Sequence, residues 1–133
     1  MDEPAQGIIE MIASRIRAVG HALRGLRETL LHEAHGRIEI ACSAAALGLG
    51  ILLNIGPREW LAVVFAITVV IAAECLNTAI EHLADRVSGE HDVLIGKAKD
   101  AAAAGVFVCV LGAAATGGIV FLPRLWQLFN TAA

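Results

Sequence analysis

From Ala101 to Leu122 the chain runs 22 residues without a charged side chain, and few folds can accommodate such a segment. At 1.5 Å per residue a helix of that length crosses a hydrocarbon core about 30 Å thick while satisfying its own backbone polar groups. Ile40 to Ile55 is also uncharged but shorter, and borrows flanking residues such as Ile38 and Gly56 to cross. Leu61 to Ala73 is apolar again and continues past Glu74 through Cys75, Leu76 and Ile80 before the charges thicken. Composition agrees: 57% of the 133 residues are hydrophobic and 17% charged, more apolar than an ordinary globular domain. The expectation is an all-α membrane protein, one domain over 1–133. Transmembrane helices are expected over 38–56, 60–83 and 100–122, after an amphipathic surface helix over 7–36.

The surface helix rests on Ile8, Ile12, Ile16, Val19, Leu23, Leu26 and Leu30, spaced three or four apart, with Arg15, Arg17, Arg24 and Arg27 among them. Such a helix lies at the acyl boundary with its arginines on anionic headgroups, or packs as a cytoplasmic helix on the bundle; the pattern allows both. No continuous apolar core precedes Arg37, so a signal peptide is not expected.

Of the ten Lys and Arg residues, Arg15, Arg17, Arg24, Arg27, Arg37, Arg86, Lys97 and Lys99 fall before the first span or between the last two. Cytoplasmic flanks carry such an excess, so the N-terminus is expected in the cytoplasm and the C-terminus outside a plasma (inner) membrane crossed several times. Arg58 and Arg124 fall on the other face, where Trp60 and Trp126 would anchor the spans.

Glu74, Asn77, Glu81 and Asp85 form a polar stripe within about 80° of one another on a helix. A carboxylate at mid-bilayer costs roughly 2.5–3.5 kcal/mol, which makes Glu74 a functional candidate. Counted from Trp60, Glu74 lies about 21 Å inward, Glu81 about 31 Å and Asp85 about 37 Å, so the stripe climbs out of the membrane. Carboxylates at its water end are hard oxygen ligands of the kind Mg²⁺ and phosphates prefer, and a desolvated Glu suits proton abstraction. Together these suggest transfer to a lipid hydroxyl.

The run AECLNTAIEHLADRVSGEHDVLIGKAKD, Ala73 to Asp100, closely resembles the bacterial integral-membrane diacylglycerol kinase and undecaprenol kinase family. Its signature is E-x-x-N-[ST]-A-I-E-x-x-x-D, followed by A-K-D at the start of the last span. HALRGLRETLLHEAHGRIE, His21 to Glu39, resembles the family's surface helix and its approach to the first span. The resemblance implies an ATP-dependent lipid kinase, assembled as a homotrimer with sites shared between neighbours. By carry-over Glu74 matches the general base with Asn77 beside it, Glu33 and Glu81 the pair that holds Mg²⁺, and Asp85, Lys99 and Asp100 the nucleotide-binding positions. His21 and His91 stand where members acting on diacylglycerol often carry tyrosine, and this chain has no Tyr. Glu39 aligns with an acidic family position, and an ion pair with Arg37 is the alternative reading. LNTAIE and KDAAAA lean towards the undecaprenol kinases, and DRVSGEHD with GKAKD towards the diacylglycerol kinases, the favoured assignment. Expected partners are ATP, the lipid substrate, membrane lipids and other copies of the chain, with no nucleic acid.

Other motifs fail. Gly89 and Gly96-Lys97-Ala98 lack the glycine spacing and hydroxyl of a phosphate loop, and in His32-Glu33-Ala34-His35 the second His comes one residue too early for a zinc helix. Cys42, Cys75 and Cys109 fall one per span and read as small buried hydrophobes. Ala101, Gly105, Cys109, Ala113 and Gly117, four apart, form a ridge suited to close helix packing. A proton-coupled transporter would explain Glu74 but not the polar cluster at Glu81, Asp85, Lys99 and Asp100. A catalytically dead lipid-binding relative would not need the complete motif.

Overall fold

The computed structural model describes residues 3–87 and 92–131. Four helices follow one another: α1 (Glu3–His32), α2 (Ala34–Leu52), α3 (Pro57–Val87) and α4 (Val93–Thr131), with no strand among the described residues. Two of them, Pro57–Val87 and Val93–Leu128, are long and apolar enough to cross a bilayer. α2 has 19 residues and bears Arg37 and Glu39 in its opening turns. Its uncharged part, Ile40 to Leu52, spans only about 20 Å of helix. It therefore falls short of the stretch expected over 38–56.

α2 stops early for a local reason. Asn54 takes a left-handed φ of 49°. Its N–H bonds the Ile51 carbonyl at 3.1 Å, and the Ile55 N–H bonds the Gly50 carbonyl at 3.1 Å. These are the two bonds of a Schellman cap, which ends a helix whatever the hydropathy of Leu53 and Ile55. α3 restarts at once, with Pro57 in the first helical position and Glu59 reaching back to accept the Gly56 N–H at 2.6 Å. It runs on to Val87, beyond the expected 60–83.

α1 and α2 meet at a one-residue joint, Glu33, whose backbone is extended (φ −80°, ψ 143°). Helical periodicity alone carries the surface helix through to residue 36. The joint exists because Gly36 presses α2 onto α1: a Cβ there would fall on the Thr29 carbonyl and the Leu30 Cα. Only glycine permits that approach. Over most of α1 the apolar stripe stays uncovered by the rest of the chain, with Ile8, Ile12, Ile16, Val19 and Leu23 all exposed. That is the arrangement the interfacial reading requires.

α4 begins at Asp92, whose Oδ1 caps it by accepting the N–H groups of Leu94 (2.7 Å) and Ile95 (3.3 Å). The helix passes through Pro123 and ends at Thr131, whereas the sequence reading stops the span at residue 122. Pro123 lacks one donor without ending the helix. The small core, Ile55, Val63, Val120 and Phe121 with Leu49, Trp60 and Leu125 against it, sits at the end of the bundle near the α2–α3 turn. Gly50 leaves room there for the Trp60 ring. Arg124 closes this turn end. Its guanidinium pairs with Glu59 (2.6 and 3.3 Å) and donates to the carbonyls of Leu53 (3.0 Å) and Asn54 (3.2 Å).

Between α2, α3 and α4 lies an apolar cavity of about 370 Å³. The small residues of α4 do not form a close-packed seam within the chain: Ala113 and Gly117 line this cavity, and a Cβ on Gly105 would meet nothing.

Candidate active site

At the other end of the bundle, near the α1–α2 joint, the polar stripe of α3 turns inward. Glu74 is 3% exposed, Asn77 7% and Thr78 6%. These are unusual residues to find buried, and each needs a partner or a use. The Asn77 side-chain N–H donates to Glu81 Oε1 at 3.0 Å, which fixes one carboxylate one turn farther along the helix. The other end of the amide, Asn77 Oδ1, is buried with no hydrogen-bond partner, and so is Glu39 Oε2.

Acidic groups converge here from three segments. Glu74 lies within electrostatic reach of Glu33 at the joint, of Glu81, and of His35. Glu39, in the opening turns of α2, lies within reach of Glu74 and His35. The joint at Glu33 is what allows this. A continuous helix would carry Glu33 and Glu39 along one axis, whereas the break turns α2 back towards α3. Glu33 finds a partner on α3, with His82 Nε2 3.4 Å from its Oε1.

Farther along, Lys99 on α4 donates to Asp85 on α3 at 2.9 Å, tying together the starting turns of α4 and the last turns of α3. Asp85 raises the Lys99 ammonium above its ordinary value, first through this hydrogen bond and then through its charge. Lys99 therefore stays a cation at any physiological pH. Asp100 is exposed beside it.

The structure thus gathers Glu33, Glu39, Glu74, Asn77 and Glu81 into one group, with the Asp85–Lys99 pair beyond it. His21 is not part of that group: it lies on α1, where its Nδ1 and the Arg24 guanidinium are 2.7 Å apart. His91 falls outside the described residues. Cys42, expected to be buried, is exposed, while Cys75 and Cys109 are half-buried.

Glu33 and Glu81 are hard oxygen donors of the kind Mg²⁺ takes. Among the described residues no three His, Cys, Asp or Glu side chains form a metal cluster. Mg²⁺ does not require one, because it keeps several waters and is held by one or two carboxylates together with substrate phosphates. The unpartnered Asn77 Oδ1 adds an oxygen acceptor on the side chain that is bonded to Glu81.

Three residues outside the polar stripe are buried or paired in the structure. Thr78 is buried, although it lies one residue off the stripe. His82 stands next to Glu81 and so about 100° around the helix from it, where a search along the stripe does not look. Arg124 meets Glu59 across 65 residues of chain, a contact with no periodic signal.

The model of the prokaryotic diacylglycerol kinase family matches residues 20–121. The undecaprenol kinase of Bacillus subtilis (strain 168) is 37% identical over 105 residues, 79% of this chain and 85% of that protein. The diacylglycerol kinase of Escherichia coli (strain K12) is 31% identical over 115 residues, 86% of this chain and 91% of its own. That of Haemophilus influenzae is 32% identical over 108 residues, 80% of this chain and 91% of its own. A match covering most of the chain, on the segments that carry the buried acidic group, shows that the protein belongs to the bacterial membrane family of diacylglycerol and undecaprenol kinases.

Proposed function

We propose that the chain transfers the γ-phosphoryl group of ATP to the hydroxyl of diacylglycerol, giving phosphatidate and ADP at the cytoplasmic face of the plasma (inner) membrane. The observation that carries this reading is Glu74: a carboxylate 3% exposed on an apolar helix, one turn from Asn77 and two from Glu81. In the proposed step Glu74 takes the proton of the lipid hydroxyl as its oxygen bonds to the γ-phosphorus. The bond from the γ-phosphorus to the β-bridging oxygen then breaks, and ADP leaves.

Glu33 and Glu81 are the side chains that would hold Mg²⁺, which when bound offsets the charge of the nucleotide phosphates. Asn77 holds Glu81 in place. Lys99, with Asp85 and Asp100, faces the nucleotide, and its fixed positive charge stabilises charge that develops on the phosphates. The apolar cavity lined in part by Glu39 offers room for a hydrocarbon chain. In this reading α2 is a third, short span. The chain acts as a homotrimer with sites shared between neighbours, in keeping with exposed apolar residues such as Leu61, Phe65, Phe107 and Leu111 on α3 and α4.

A second reading, undecaprenol as acceptor, is favoured by the 37% identity with the Bacillus subtilis undecaprenol kinase. Phosphate transfer from labelled MgATP in mixed micelles, with both lipids offered together and Glu74→Gln as control, decides between them. Phosphatidate as main product supports the first reading and undecaprenyl phosphate the second. Transfer to neither lipid refutes both.

A further inference from the structure

Of the two carboxylates assigned to the metal, Glu81 has an evident support in Asn77, 3.0 Å away on the same helix. Glu33 is placed quite differently. It occupies the one non-helical residue between α1 and α2, where it serves as N-cap of α2 but makes no side-chain capping bond. A long side chain at such a break has several rotamers open to it, and a metal that binds it must first restrict them. One group reaches across from α3: His82, whose Nε2 lies 3.4 Å from Glu33 Oε1.

We infer that His82 is a positioning residue for the metal-binding carboxylate of Glu33. The inference rests on the reading of Glu33 as a Mg²⁺ ligand and adds to it the means by which a joint residue is aimed at α3. At that distance the imidazole engages one oxygen of Glu33 and leaves the other free for the cation. Because His82 directly follows Glu81, the same turn of α3 supplies one metal carboxylate and orients the other. The separation of Glu33 and Glu81 is thereby set by one rigid helix and not by the joint. Partners that orient metal ligands in this way typically change metal affinity by about 10–100-fold when removed. His82 is more than half exposed, so its replacement leaves the packing of the bundle intact.

The test is Mn²⁺ binding, followed by the electron paramagnetic resonance of the free ion, to purified protein in micelles with a non-hydrolysable ATP analogue. His82→Ala is expected to weaken Mn²⁺ binding about tenfold. His82→Gln places an amide N–H where Nε2 stood and is expected to restore most of the affinity. In the turnover assay the Mg²⁺ concentration at half-maximal rate rises for His82→Ala, while the rate at saturating Mg²⁺ and the melting temperature stay near those of the parent. Unchanged Mn²⁺ affinity in His82→Ala overturns the inference, and so does an equal loss in the Ala and Gln variants. Glu33→Gln separates the two levels. If it leaves Mn²⁺ binding intact, the metal assignment fails and takes the inference with it. If it weakens binding while His82→Ala does not, the inference alone fails.

Discussion

The two ends of this bundle use the same helices to opposite effect. At the turn end the polar groups are matched to one another: the carbonyls of Gly50 and Ile51 to the cap, the Gly56 N–H to Glu59, and Glu59 with the Leu53 and Asn54 carbonyls to Arg124. At the joint end Glu74, Asn77 and Glu39 are drawn together with Asn77 Oδ1 and Glu39 Oε2 left without partners. Buried polar atoms are ordinarily satisfied, and in the proposed reaction the two left open here would meet groups from outside the chain. The comparison separates stability from activity: changes at the turn end should alter melting and not turnover, and side-chain changes within the acidic group the reverse, with the Gly36 contact the one place that couples the two.

The strongest test of that separation is Glu74→Gln. Turnover should fall about 10²–10⁴-fold, the range a general base contributes, while MgATP binding and the melting temperature hold. A Glu74→Gln protein with normal turnover would refute the proposed base.

Gly36→Ala probes the one place where the site depends on backbone contact. The added Cβ collides with the Thr29 carbonyl, so α2 must move off α1 and take Glu39 with it. Stability should drop by about 1–3 kcal/mol and turnover should fall as well. If only one of the two changes, the joint does not couple packing to the site.

Arg124→Met removes donors from two carbonyls and the partner of Glu59. Denaturant melts should show a loss of about 1–2 kcal/mol with unchanged KM for both substrates. An altered KM would break the division between the ends. Related to it is a pH effect. Glu59 lies in the first turn of α3, ahead of the apolar run that begins at Leu61, and its carboxyl is held below the ordinary value by the Gly56 N–H and then by Arg124. Its contribution is present above the unfolded carboxylate value and is lost as pH falls through the lower folded one. Acid should therefore destabilise the parent more than a Glu59→Gln variant. The smallest effect is expected from Asn54→Gly, which relieves a left-handed backbone and should raise stability by about 0.5 kcal/mol.

Much of this architecture is legible in the sequence because membrane spans and amphipathic helices write themselves as hydropathy and period. The helices through Leu61–Ile80 and Ala101–Leu122 were visible in that way, and so was the acidic face of α3. The places where the chain breaks were not. Leu53 and Ile55 are as apolar as the residues before them, so only the φ of Asn54 reveals the end of α2. Glu33 sits in a helical pattern that Gly36 interrupts through a contact with Thr29. α4 continues past the span expected over 100–122 because Pro123 lacks one donor without ending the helix. At the site, the stripe identified Glu74, Asn77 and Glu81 by spacing alone, and the family likeness pointed to Glu33. His82 escaped both, since it is off the stripe and meets the joint at Glu33 from α3.

Arg124 has a consequence for how the molecule is made. It supplies the donors for a turn that leaves the ribosome some 70 residues before it. Until it arrives, the α2–α3 hairpin holds Glu59 without its cation and two carbonyls without these donors. α4, made after both, thus completes the structure of the second and third helices, and a chain truncated before residue 124 retains the acidic group but lacks the fastener that holds its helices together.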